Sequence, residues 1–241
     1  MKVKGQENIV FAVVGLSEHT RKQLSYTSTE LIKRCSFNQN QCDIQKDFKL
    51  HLDPTYGNCY TFKNNKTHPF KSTRAGPMSG LRVLLFADAE DYMPTTEEVG
   101  MRVQVHNPEE VPFPDVFGHS APIGSLTSFG LKMKRYKRLP HPYGKCLETL
   151  SDGSFIYEGF NYSAEGCYRS CLQRFLINQC KCADPRYPVK QNITTCSVKS
   201  KESQILSQVA LHYADDDSPT NISPTTFTPM IISPPDYLAD A

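Results

Sequence analysis

The sequence has no tryptophan, no long apolar stretch and almost no charge surplus, and each absence removes a class of protein. Its longest apolar run, Ile9 to Leu16, holds eight residues with Gly15 counted, against the roughly 20 that span a bilayer. This stretch of chain is therefore expected to cross no membrane. Lys2 and Lys4 precede the run, but Ser17-Glu18-His19 follows it in place of a small-residue cleavage site, which argues against a secretory signal. Lys+Arg number 27 and Asp+Glu 25, a net charge of +2. That is too little for the broad basic field of a polyanion binder, so no nucleic-acid partner is expected. Gly-X-Ser-X-Gly, His-Glu-X-X-His, the Walker loop and Gly-X-Gly-X-X-Gly are all missing. His51, His68, His106, His119 and His141 sit amid strand or turn signals, with no nucleophile and acid that sequence singles out for them. Glu109 and Glu110 beside Asp115 read as a solvated turn, because Pro112 and Pro114 keep that segment extended. No enzyme and no cofactor are expected.

What is present is a globular composition with an uneven cysteine distribution. Of 241 residues, 39% are hydrophobic, with 13 Phe and 12 Tyr, well above what stays disordered for want of apolar surface. Nine cysteines stand at 35, 42, 59, 146, 167, 171, 180, 182 and 196, five of them between 167 and 196. Scattered buried thiols would not cluster so. Zinc would want a CxxC knuckle and nearby histidine, neither of which accompanies the cluster. Disulfides formed in an oxidising compartment explain it best. Sequons at Asn65, Asn161, Asn192 and, more weakly because Pro224 follows, at Asn221 favour the same compartment. An odd count leaves at least one thiol without an intramolecular partner.

Residues 17–34 read as helical and polar, with Thr27-Ser28-Thr29-Glu30 as a capping box and Cys35 closing the element. From 44 to 140 the pattern turns to strands. Leu81, Val83 and Leu85 alternate with their neighbours, as do Met101, Val103 and Val105, and again Phe129, Leu131 and Met133. Strong turn signals such as Asp53-Pro54, Gly76-Pro77 and Pro112-Phe113-Pro114 punctuate these runs. The cations Lys132, Lys134, Arg135, Lys137 and Arg138 resemble an anion site, but alternation with Leu131 and Met133 makes the wet face of a strand the default reading. Residues 167–180 return to helical spacing, with Tyr168, Cys171, Leu172, Phe175 and Leu176 on one apolar stripe. Cys167 and Cys171, one turn apart, are expected to face an element bearing cysteines of its own. Residues 214–241, with Asp215 to Asp217 and five prolines, are expected to be disordered.

Seven blocks in order then resemble the extracellular region of the degenerin/epithelial sodium channel/acid-sensing ion channel family, most closely its nematode degenerins. They are Cys35-Ser36-Phe37 with Cys42; Tyr56-Gly57-Asn58-Cys59-Tyr60-Thr61-Phe62; Ala75-Gly76-Pro77-Met78-Ser79-Gly80-Leu81; Asp91-Tyr92-Met93-Pro94-Thr95-Thr96; Pro112-Phe113-Pro114-Asp115; Leu139-Pro140 through Tyr143-Gly144-Lys145-Cys146; and Glu165-Gly166-Cys167-Tyr168-Arg169-Ser170-Cys171 with Cys180-Lys181-Cys182-Ala183-Asp184-Pro185-Arg186. The resemblance implies an α+β fold: an antiparallel β-sheet palm and β-ball with helical finger and thumb segments, rich in disulfides. Residues 1–16 stay unassigned, 17–45 resemble the finger, 46–145 the palm and β-ball, 146–200 part of the thumb, and 201–241 the disordered tail.

The same resemblance implies the extracellular part of a ligand-, proton- or force-gated, amiloride-sensitive sodium channel subunit at the plasma membrane, lacking here both transmembrane helices. Its partners would be other channel subunits in a trimer, and sodium ions in the full-length channel. A soluble regulatory module that binds full-length subunits is the alternative. On the family pattern Cys35 pairs with Cys42 and Cys182 with Cys196, while Cys59, Cys146, Cys167, Cys171 and Cys180 lack partners within this chain. On that pattern the chain is expected to be a partial gene model or a truncated isoform. Asn65, Asn161 and Asn192 would carry glycans, and Tyr143 takes the position of an aromatic residue that couples the thumb to the pore; a buried turn aromatic is the other reading of that tyrosine.

Overall fold

A computed structural model describes residues 9–62, 70–72, 74–92, 96, 99–134, 136–137, 139, 142–144, 154–189 and 193–196. The chain is a mixed helix and antiparallel-sheet protein with two disulfides, and it divides into two compact bodies. Cys146, Asn65, Asn192, the expected tail over 201–241 and two of the five run cations, Arg135 and Arg138, lie outside the described residues.

One body is built from residues 17–108 and 112–135. It opens with a helix, Glu18–Gln23, whose N-terminus is capped by Ser17, the hydroxyl accepting from Thr20 N at 3.1 Å. A second short helix, Ser28–Leu31, begins where the Thr27–Glu30 box places it, with Thr27 N donating to Glu30 Oε2 at 2.8 Å. The expectation of one helical stretch to residue 34 is corrected here. Leu24 caps the first helix, and strand β1, Ile32–Phe37, starts directly after Leu31. The β-branched Ile32, 2% exposed, is worth more as a strand residue in the core than as another helical turn.

Strand β2, Asn40–Gln41, turns back on β1 through Asn38 and Gln39, both with positive φ (48° and 67°), the twist that a two-residue hairpin needs. Cys42 then lies beside Cys35, its N–H donating to Cys35 O at 3.2 Å, and the two sulfurs are bonded across a Cα separation of 5.3 Å. The other edge of β1 pairs antiparallel with strand β5, Leu81–Leu85, giving the sheet order β2-β1-β5. Leu81, Val83 and Leu85 pack with Ile32, Cys35 and Cys42, as the alternation foretold.

Between them runs the hairpin of β3, Phe48–Asp53, and β4, Gly57–Phe62. Asp53 closes its turn, Oδ1 accepting from Thr55 N at 2.8 Å and Tyr56 N at 2.9 Å. Asn58 on β4 holds the loop after the first helix, Nδ2 donating to Lys22 O at 2.9 Å, and the Tyr60 hydroxyl donates to Tyr26 O at 2.8 Å. Phe37, Phe48, Phe62 and Phe70 form a ring cluster with centroid separations of 4.7–6.0 Å. Strands β6, Gly100–Val103, and β7, His119–Pro122, make a third antiparallel pair, across which Arg102 Nη1 donates to Ser120 Oγ at 2.9 Å while its Nε donates to Pro114 O at 3.0 Å.

The third alternating run does not form a strand. Residues 123–134 carry neither helix nor sheet, and Leu131, Lys132, Met133 and Lys134 are all exposed. Period-two alternation expresses burial of one face only where a partner strand exists to bury it, and none is present among the described residues.

His51 on β3 faces Cys59 on β4 in register, with Asp53, His106 and Lys49 close enough to act on its charge. Burial holds the imidazole below its ordinary value of 6.5, with Asp53 opposing the shift and His106 and Lys49 adding to it. The folded state therefore binds this proton less readily than the unfolded chain does. Stability from this group is full above the unfolded value and is lost as pH falls below it, by at most about 1.4 kcal/mol per pH unit. Urea midpoints at about pH 7.5 and about pH 5 should differ less for His51→Gln than for the parent chain. An unchanged difference would locate the titration elsewhere.

Candidate functional site

The residues singled out from sequence concentrate in the other body, drawn from residues 9–16, 109–111 and the described residues from 136 onward. Its organising element is the helix Ala164–Cys180. Ser163 starts it, Oγ accepting from Gly166 N at 3.2 Å. Lys181 ends it in the left-handed conformation (φ 58°), its N–H donating to Ile177 O at 3.0 Å and its ammonium to Asn178 O at 2.7 Å. Glu165 and Arg169 add a half-buried ion pair at 2.6 Å one turn apart. Gly166 lies against the Phe155 ring, and a Cβ there would come within 2.7 Å of it, so the helix approaches that ring only because the position is glycine.

The buried face is partly polar, which periodicity could not reveal. Gly166, Ser170, Leu172, Gln173 and Leu176 face inward, while Tyr168 and Cys171 are exposed. The expected stripe is thus split: Leu172 and Leu176 keep the core and its other edge turns outward. Gln173, 1% exposed, is what a hydrophobicity pattern assigns to solvent. Here its amide clamps the backbone of Asp184 in both directions, Oε1 accepting from Asp184 N at 3.0 Å and Nε2 donating to Asp184 O at 3.1 Å. The Asp184 carboxylate, fully buried, accepts from Arg186 Nη2 at 2.6 Å, Nε at 3.1 Å and the Arg186 backbone N–H at 2.9 Å. The guanidinium in turn covers the Phe11 ring at 4.8 Å. Gln173, Asp184 and Arg186 went unassigned in the sequence. The only signal for them was the Asp-Pro-Arg turn directly after a cysteine pair.

Cys182 and Cys196 are bonded, with a Cα separation of 5.0 Å, beside a short parallel bridge of Ala183 and Thr195. They pack with Leu172 and Leu176. Four described cysteines carry no disulfide: Cys59, Cys167, Cys171 and Cys180. Cys171 is exposed, Cys167 and Cys180 half-buried. Hydrogen bonding with the Cys167 thiol, helped by burial, pushes the Tyr162 phenol up to about 12. Cys59 lies in the other body on β4, where burial and then the Asp53 charge push its thiol up to about 12. At physiological pH it is held as the neutral thiol. Tyr143 is 82% exposed. Among the described residues no group of three His, Cys, Asp or Glu side chains is placed to hold a metal ion.

Asn161 joins two roles that sequence keeps apart. Its Nδ2, the atom a glycan would occupy, donates to Glu109 Oε2 at 3.0 Å, and its backbone N–H donates to Glu109 O at 2.8 Å. The third sequon residue, Ser163, is also the helix cap. Ser163→Ala should therefore remove the cap, at about 1 kcal/mol, together with any glycan on Asn161. Ser163→Thr should retain both, and Asn161→Gln should abolish the sequon and disturb the Asn161–Glu109 side-chain hydrogen bond while leaving the cap in place. Endoglycosidase shifts together with thermal melts separate the three; equal melts for Ser163→Ala and Asn161→Gln would remove the cap from the account.

Residues 11–218 match a family model described as amiloride-sensitive sodium channel. The chain is 49% identical over 199 residues to degenerin deg-1 of Caenorhabditis elegans, an alignment covering 82% of this chain and 26% of that protein. It is 49% identical over 193 residues to degenerin mec-4 of Caenorhabditis briggsae, covering 80% and 25%. The degenerin-like protein asic-1 of Caenorhabditis elegans is 41% identical over 218 residues, covering 90% and 26%. The chain thus spans about a quarter of the length of the curated relatives it matches. No helix among the described residues is long and apolar enough to cross a membrane.

Proposed function

Because the chain belongs to the amiloride-sensitive sodium channel family, we propose that it forms an extracellular part of a sodium channel subunit, acting at the plasma membrane with other subunits in a trimer. In this reading residues 17–45 serve as finger, 46–145 as palm and β-ball, 146–200 as part of the thumb, and 201–241 as a disordered tail. The bonded pairs Cys35–Cys42 and Cys182–Cys196 are internal staples. Cys167 and Cys171 serve as attachment points on the outward face of the thumb helix, joining it to a cysteine-bearing element of the assembled subunit, with Cys59, Cys146 and Cys180 committed likewise. Asn65, Asn161 and Asn192 carry glycans. Tyr143, exposed at a proline-flanked turn, transmits thumb movement toward the pore. Ligand, proton or force would act by changing contacts among these parts, which the strands relay.

One observation carries this reading: identity near 49% across 82% of the chain to a degenerin, reinforced by a helix whose accessible face presents Cys171 and Tyr168. The test is a chimera in which residues 17–197 replace the matching stretch of a full-length degenerin. Amiloride-sensitive sodium current in voltage-clamped oocytes is the expected result, with Tyr143→Ala reducing the current at equal surface expression. A chimera that reaches the surface and passes no such current overturns the reading. If the secreted chain instead altered the current of an intact channel, it would act as a soluble regulatory module.

A further inference from the structure

Asn161 is the expected glycan acceptor that falls among the described residues, and the fold engages all three residues of its sequon. Asn161 Nδ2 donates to Glu109 Oε2 at 3.0 Å and the Asn161 backbone N–H to Glu109 O at 2.8 Å. The Tyr162 phenol is hydrogen-bonded with the Cys167 thiol. Ser163, whose hydroxyl completes the sequon, accepts from Gly166 N at 3.2 Å as the cap of the helix Ala164–Cys180. Every one of these partners belongs to the same compact body as Asn161.

We propose that Asn161 accepts its glycan only before this body folds, and that Glu109 sets the fraction of chains that receive one. The inference rests on the extracellular reading above. In the transfer, Nδ2 attacks C1 of an oligosaccharide carried on a polyprenyl pyrophosphate. The Nδ2–C1 bond forms, the C1–O bond to phosphate breaks, the pyrophosphate leaves, and one Nδ2 proton passes to a base of the transferring enzyme. That enzyme must engage the Ser163 hydroxyl together with Nδ2, which is why the sequon needs a hydroxyl residue. In the folded body the hydroxyl is committed to Gly166 and the Asn161 backbone is fixed on Glu109, so the sequon cannot enter an active site without unravelling the start of the helix. Nδ2 keeps one N–H after the transfer, enough to donate to Glu109, so a glycan added early does not prevent the clamp from forming. Order of synthesis turns this into a competition. Glu109 precedes Asn161 by 52 residues and is already in place when the sequon emerges. The 17 residues of the helix follow over roughly 1–3 s, whereas helices and loops close within microseconds once their residues exist. The clamp to Glu109 therefore shortens the interval in which transfer can occur.

The test expresses the full chain behind an added signal peptide and reads the occupancy of each sequon by enzymatic deglycosylation and peptide mass spectrometry. Asn161 is expected to be occupied in only part of the chains. Glu109→Ala should cut its unoccupied fraction at least about twofold, given the strength of a hydrogen bond to a carboxylate, and leave Asn65 and Asn192 unchanged. Reductant present during synthesis holds Cys182 and Cys196 apart, delays folding of the same body, and should raise Asn161 occupancy in the parent chain. Full occupancy of Asn161 in the parent, no gain with Glu109→Ala, or no gain with reductant overturns the proposal. An equal gain at Asn192 in Glu109→Ala assigns the effect to general misfolding and also overturns it. The added signal peptide makes these outcomes independent of where the native protein resides. If the native protein carries no glycan at any sequon while the signal-bearing chain behaves as described, the extracellular reading fails and the competition at Asn161 stands.

Discussion

Replacing Asp184 with asparagine is expected to lower stability by about 3 kcal/mol, within the range for removing one partner of a buried ion pair. The carboxylate is fully buried and receives two guanidinium nitrogens and a backbone N–H from Arg186. Asparagine retains the size but presents an amide N–H₂ toward a cation, and the half-buried guanidinium is left over Phe11 without its counter-charge. The Gln173 clamp acts on the Asp184 backbone and is untouched, so the loss isolates the carboxylate. Against a typical domain stability of about 5–15 kcal/mol this is a large fraction. Urea unfolding of the secreted chain measures it, or amide-hydrogen exchange across residues 164–180 where the melt is not a single step. A loss below about 1 kcal/mol would mean that the pair is solvated in a way its burial denies.

Removing the Cys182–Cys196 bond, as Cys182→Ala/Cys196→Ala, should cost about 3 kcal/mol. The sequence separation of 14 closes a loop near the length for which that cost is typical. The bond also holds the Ala183–Thr195 bridge against Leu172 and Leu176, so its loss should spread into protection of the helix Ala164–Cys180. The Cys35–Cys42 bond closes a shorter loop, with a separation of 7. Loop-closure entropy grows only slowly with length, so its removal should cost about half a kcal/mol less by the same relation. It also joins strands already paired by the β1–β2 hairpin. Urea midpoints of the two double variants should therefore lie on the same side of the parent, with the Cys182/Cys196 variant lower. The reverse order would show that the hairpin leans on its disulfide more than loop length accounts for.

Local signals read well. The capping box at Thr27–Glu30, the Asp53-Pro54 turn and the Leu81–Leu85 alternation each depend on a few neighbouring residues, and each appears where the sequence places it. The failures share one cause. Residues 17–34 read as a single helix because nothing local announces that Ile32 will be needed beside Leu85 in a sheet. Phe129 to Met133 alternate as a strand does, yet alternation cannot supply the partner that would make them one. The stripe on Ala164–Cys180 divides because polar Ser170 and Gln173 occupy the core, their hydrogen bonds met by Gly166, Ile156 and Asp184. A buried polar group satisfied by backbone looks, in a list of residue types, like one facing water.

By itself the sequence established the family, the α+β composition and the positions where several helices and turns begin. Those properties rest on backbone sterics, caps and residue chemistry acting over a few positions, and they survive whatever the rest of the chain does. Only the tertiary structure decided that β1 pairs with β5 across a long intervening segment, which face of the thiol-bearing helix is buried, and that residues 129–134 join no strand among the described residues. Those outcomes depend on which distant surfaces exclude water together. That competition is settled by burial and loop-closure entropy over the whole chain, so no window of neighbouring residues contains it.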